Sequence, residues 1–119
     1  MIEHNPHLRI SHVGPIAVVT MTDRKIINEV SINEISEQLN GLIEKVEKPK
    51  LILDFAGVSH MSSSALGMLI LLHKKIQEKH GQLRLCCIQP AVFEVFVITR
   101  LNEVLKISPD QQDAVDHLL

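Results

Sequence analysis

Asp54, His60 and Ser63 lie close together and supply the residue types of a nucleophilic triad, in which a carboxylate orients an imidazole that takes the serine proton. Such a serine needs a sharp turn with glycines on both sides, and here its neighbours are Met61-Ser62 and Ser64-Ala65. A hydrolase is therefore disfavoured. The chain holds seven histidines. His4, His7 and His12 cluster near the start, His73 and His80 fall in one expected helix, and His60 and His117 stand alone. None of these spacings matches a recognised ligand pattern, so no metal site is expected. Cys86 and Cys87 are adjacent in an apolar run; a strand would point them to opposite faces, and a disulfide between them would be strained. Reduced structural thiols are the expectation. Neither a phosphate-cradling nor a dinucleotide-binding glycine motif is present. No cofactor is implied, and nothing marks the chain as an enzyme.

The richest run of hydroxyls is Ser62-Ser63-Ser64, inside the segment from Asp54 to Gly67. Serines cap helices, but one cap needs one serine, and the others would be exposed on a strand-to-helix loop. A phosphate added there would bring about two negative charges to a helix N-terminus, where free N–H groups and the helix dipole favour them. The fold would tolerate the modification. A partner docked over the same helix start would meet a charge in its interface, at a cost on the order of several kcal/mol.

The elements that must position this segment follow from periodicity. Leu8, Ile10 and His12 alternate with Arg9 and Ser11, Gly14-Pro15 interrupts, and Ile16 to Val19 is continuously apolar; this predicts a hairpin leading into a buried strand. Ser31 and Glu34 have capping-box spacing and predict a helix from about Ile32 to Val46, closed by Pro49. Leu51 to Phe55 reads as a central strand. A second helix follows the serines and stops at Gly81. Leu83 to Ile88 is strand-like, Pro90 opens a third helix, Leu105 to Ile107 is a last short strand, and Pro109-Asp110 opens a polar helix ending at Leu118-Leu119. This alternation predicts an α/β domain with a largely parallel or mixed sheet of about five strands covered by about four helices. The second helix is apolar nearly all round from Leu66 to Leu72. Leu66, Leu69 and Ile70 suit the sheet, leaving Met68, Leu71 and Leu72 either for a partner or for burial under a neighbouring helix. Phe93 to Ile98 presents the same two alternatives.

At 119 residues, 45% of them apolar, the chain suits a single domain spanning 1–119 with its own core. Twelve basic residues against 14 acidic ones give a net charge of -2, which disfavours direct nucleic-acid binding. No stretch suits a membrane span, and the start lacks a basic region followed by an apolar one. A soluble cytoplasmic protein is expected.

From Val58 to Gly67 the residues align without a gap to the motif Val-x-Phe-Ile-Asp-Ser-Ser-Gly-Leu-Gly, and Asp54 falls at the end of the preceding strand. Cys86-Cys87-Ile88-Gln89-Pro90-Ala91-Val92, with Phe96 and Leu101, is similar to a later strand, a proline-started helix and a closing turn. In these features nearly the whole chain resembles the STAS domain family, in particular bacterial anti-sigma-factor antagonists. The resemblance implies a phosphorylated serine at Ser63, with Ser62 and Ser64 as alternatives. It implies a partner surface at Asp23, Ser62, Ser64, Ala65, Leu66, Gly67 and Met68. The implied partners are an anti-sigma factor that is also a serine protein kinase, and a phosphoserine phosphatase, with the protein itself a monomer or weak dimer. The unphosphorylated form would bind the anti-sigma factor and free a sigma factor, and phosphorylation would end that binding. Alternatives within the family are a scaffold module of a signalling assembly and an accessory nucleotide-binding or transport-associated protein. The departures from the pattern are local. Ser62 stands where most members carry Asp, Ala65 replaces Gly, only Asp23 of Thr20-Met21-Thr22-Asp23 matches the family's early turn, and the segment before the first helix is longer.

Overall fold

Leu8 and Ile10 are buried while Arg9 is exposed, and from Ile16 to Met21 neighbouring residues point alternately to two covered faces. These runs form β2 (Leu8–Val13) and β3 (Ile16–Met21), an antiparallel hairpin turned by Gly14, whose φ of 58° is natural for a residue without Cβ. The computed structural model of the chain describes residues 3–4 and 7–119. The other elements are β1 (Glu3–His4), β4 (Lys25–Ile26), α1 (Glu29–Glu44), β5 (Lys50–Asp54), β6 (His60–Met61), α2 (Ser63–Glu78), β7 (Gln82–Cys86), α3 (Pro90–Ile98), β8 (Ile107–Ser108) and α4 (Gln111–Leu118), with a 3-10 turn at Leu101–Glu103.

Among the described residues the main sheet has six strands in the order β1-β2-β3-β5-β7-β8, antiparallel as far as β3 and parallel beyond it. About five strands were expected, and the two-residue edge strand β1 is too short to read from periodicity. β5 is central and buried on both faces, as its unbroken run Leu51-Ile52-Leu53 requires. On one face Val19, Leu51, Leu53, Leu83 and Leu85 pack with α1, α2 and α3. On the other, Ile16, Val18, Ile52 and Cys86 meet Ala114, Val115 and Leu118 of α4. β4 and β6 form a separate parallel ladder.

Three expectations are corrected, and one holds for another reason. Helix α1 begins three residues before Ile32, because the Asn28 side chain accepts hydrogen bonds from the N–H groups of Val30 and Ser31; Asn28 is the cap, and Ser31 lies inside the helix. The left-handed residue after α2 is His80 (φ 58°), while Gly81 is required because a Cβ there would run into the Pro49 carbonyl oxygen. His80 therefore stands off the helix that carries His73. Finally, Cys87 does not continue the strand. Its φ of 59° costs on the order of 1–2 kcal/mol for a residue with a Cβ and breaks the alternation, so that the Cys86 and Cys87 sulfurs approach one another instead of facing apart. Both cysteines are free.

Candidate functional site

The start of α2 is held by the small ladder beneath it. The Ser59 N–H donates to the Arg24 carbonyl at 2.8 Å and the Ser62 N–H to the Ile26 carbonyl at 3.0 Å, which stitches the segment after Asp23 to the segment before the helix. Val58 and Ile26 are fully buried at the same place. A loop pinned by backbone bonds and two apolar anchors presents its hydroxyls in a fixed frame.

Each of the three serines has a different position. Ser62 is the N-cap: its backbone is extended and its hydroxyl accepts from the Ala65 N–H at 3.2 Å, so it replaces the capping function of an Asp but brings no charge. Ser63 is the first helical residue and is exposed. Among the described residues its hydroxyl has no hydrogen-bond partner. Ser64, also exposed, donates from its hydroxyl to Glu29 Oε1 at 3.0 Å, which ties the start of α2 to the start of α1.

The residues behind the serines are mostly turned inward. Ala65, Leu66 and Met68 are buried and shape the helix start from below; as side chains they are not presented to solvent. Gly67 is half-buried, with open space where a Cβ would be. Of the alternatives for the apolar half of α2, burial holds for Met68 and Leu72 and exposure for Leu71, at 59%. Between α1 and α2 runs a groove of about 480 Å³, lined among others by Glu29, Asn33, Ser64, Gly67 and Leu71. Ile27 and Val30 flank the start of α1 and are exposed. On α3, Val92 and Phe96 are buried while Phe93, Val97 and Ile98 face outward.

Asp23 is part of an unforeseen cluster. His7 Nδ1 lies 2.6 Å from Asp23 Oδ2 and His7 Nε2 lies 2.9 Å from Glu34 Oε2. Burial alone would lower the His7 pKa, but its hydrogen bonds to Glu34 and Asp23 and their charges outweigh that effect and raise it. Sequence offers no signal for this bridge, since its members are separated by 16 and 27 residues.

The triad types are not assembled. Asp54 accepts from the Ala56 N–H and the Gln111 side chain, and His60 Nδ1 pairs with the neighbouring Ser59 hydroxyl at 2.8 Å. Among the described residues no helix is long and apolar enough to cross a membrane.

A profile of the STAS domain matches residues 9–114. BtrV of Bordetella bronchiseptica, named as an anti-sigma factor antagonist, is 25% identical over 89 residues, which are 75% of this chain and 76% of that one. An anti-sigma F factor antagonist of Paenibacillus polymyxa is 19% identical over 114 residues, 96% of each chain. The solved structure of an anti-sigma-factor antagonist (STAS) domain protein from Planctomyces limnophilus matches with a TM-score of 0.83 at 23% identity, covering 94% of this chain and 97% of that one. The sheet order, the serine-started α2 and a profile match running from β2 into α4 lead to one assignment: the chain belongs to the STAS domain family.

Proposed function

We propose that this protein is an anti-sigma factor antagonist working by partner switching, with Ser63 as its phosphorylated residue. The observation that carries the reading is the difference between the three serines: Ser62 is committed to the cap, Ser64 to Glu29, and Ser63 is exposed and uncommitted. The unphosphorylated face, which includes Asp23, Ser62 to Ser64, Gly67, the groove and the exposed Leu71, binds an anti-sigma factor. That partner is also a serine kinase, and occupying it frees a sigma factor. Transfer of the γ-phosphoryl group of ATP to Ser63 Oγ then places a dianion in the interface. The free N–H groups at the start of α2 stabilise that charge in the isolated protein, whereas the complex would have to desolvate it. A phosphatase restores the binding form. The chain acts by binding in the cytoplasm, without nucleic acid or cofactor.

The test is binding of the host's anti-sigma factor kinases to the wild type, Ser63→Ala and Ser63→Glu, by calorimetry. Ser63→Ala should bind as the wild type does, and Ser63→Glu should lose about tenfold or more, or at least 1.4 kcal/mol. Equal binding of both variants would place the switch elsewhere.

The exposed Phe93, Val97 and Ile98 on α3, with Val104 beyond it, favour a second reading, in which the domain also assembles into a scaffold. Self-association at micromolar concentration in sedimentation velocity would support it, and a monomer throughout that range would exclude it.

A further inference from the structure

β5 and β7 are parallel neighbours whose final residues, Asp54 and Cys86, are register partners. In-register residues of adjacent strands point to the same face of the sheet, so the Asp54 carboxylate and the Cys86 thiol emerge side by side at the carboxyl end of the sheet. The left-handed Cys87 then turns the next thiol back toward them. The two Sγ atoms and a carboxylate oxygen all lie within 4.8 Å of one another. From this geometry we propose that Asp54, Cys86 and Cys87 bind one thiophilic divalent cation of the zinc and cadmium class.

The donor set fits that class. Two sulfurs and one carboxylate oxygen suit a borderline-soft ion and not magnesium or calcium, which take oxygen. Zinc–sulfur bonds of about 2.3 Å and zinc–oxygen bonds of about 2.0–2.2 Å in a tetrahedron separate the ligand atoms by about 3.5–3.8 Å, so the present cluster needs only small side-chain rotations. The Asp54 carboxylate is already oriented, with Oδ1 accepting from the Ala56 N–H at 2.9 Å and Oδ2 from Gln111 Nε2 at 3.0 Å. A carboxylate has about four lone-pair positions, so it can still coordinate, and Gln111 would fix its direction. Cys86 is buried, while Cys87 and Gln111 are half-buried and give the ion its approach. On binding, two S–H bonds break, two metal–sulfur bonds form, and two protons leave to solvent. No electron is transferred, and water fills the fourth position.

The reduced, metal-free full chain would be titrated with Cd²⁺ while following the ultraviolet absorption of cadmium thiolates, which histidine sites do not produce. A band saturating at one equivalent is expected, displaced by excess Zn²⁺ and absent in Cys87→Ser. Asp54→Asn should weaken binding about tenfold or more. The melting temperature of the wild type should rise with Cd²⁺ and that of Cys87→Ser should not, a readout that also shows the variant to be folded. No band at millimolar Cd²⁺, or a band retained by folded Cys87→Ser, overturns the site.

Discussion

The Ser64 hydroxyl donates to Glu29 at 3.0 Å, so the starts of the two helices that border the groove are joined by one exposed side-chain hydrogen bond. A phosphate on Ser64 would sit against that carboxylate, and like charges at such range disfavour it. Glu29→Gln removes the repulsion and keeps an acceptor. Site-resolved mass spectrometry after treatment with the partner kinase should find phosphate on Ser63 in the wild type and a raised Ser64 share in Glu29→Gln. An unchanged distribution would mean that Glu29 has no part in site selection.

Ser62 caps α2 through the Ala65 N–H. Ser62→Ala leaves that donor unpaired and should lower unfolding free energy by about 1 kcal/mol. Ser62→Asp keeps the acceptor and adds a charge at the positive end of the helix, which should stabilise by about 0.3–1 kcal/mol. Denaturant titration of both variants checks the opposite signs.

What the sequence reveals of this fold is what short-range periodicity can carry. The hairpin, the buried run Leu51 to Leu53, the serine-started α2 and the Pro90 helix are each marked by residues within a few positions of one another. What it conceals depends on contacts between distant segments. Ser31-x-x-Glu34 has the spacing of a capping box, yet Asn28 takes the N–H groups, because a cap is decided by which residue is extended. The β4–β6 ladder pairs dipeptides 35 positions apart, too short for any pattern to show. Gly81 marks the end of α2 correctly but for a different reason, the close approach of Pro49. The Asp54-Cys86-Cys87 cluster needs both the strand register and one left-handed residue, and neither is written locally.

His7 makes stability depend on pH in a direction that its bridge to Asp23 and Glu34 fixes. Its folded pKa lies above the ordinary value of 6.5, so its contribution is complete below pH 6.5 and is lost as pH rises through the raised value. His73 moves oppositely: burial first, then the Lys106 charge, lower its pKa, so its contribution is present above pH 6.5 and is lost as pH falls through the folded value. Comparing the wild type with His7→Gln at each pH cancels the contribution of His73. The advantage of the wild type should be largest in mildly acidic buffer and shrink as pH rises above 6.5. An advantage that grows with pH would contradict the bridge.

Two glycines with different surroundings separate stability from binding. At Gly81 an added Cβ meets backbone and ring atoms of Pro49, which Gln82 also holds through its N–H to the Pro49 carbonyl at 2.8 Å. Neither side can yield freely, so Gly81→Ala should destabilise by about 1–3 kcal/mol and leave partner affinity unchanged once the protein is folded. Gly67 lies inside α2 with nothing within 4 Å of the Cβ position. Gly67→Ala should therefore stabilise the helix by about 0.5–1 kcal/mol. The same methyl group projects into the groove beside Ser64 and Leu71, where a docked partner would have to make room for it. Higher stability with weaker binding of the anti-sigma factor is the expected result, measured by denaturant unfolding and calorimetry on one preparation. Gly67→Ala that gains stability and binds as the wild type does would remove the groove from the proposed interface while leaving Ser63 as the switch.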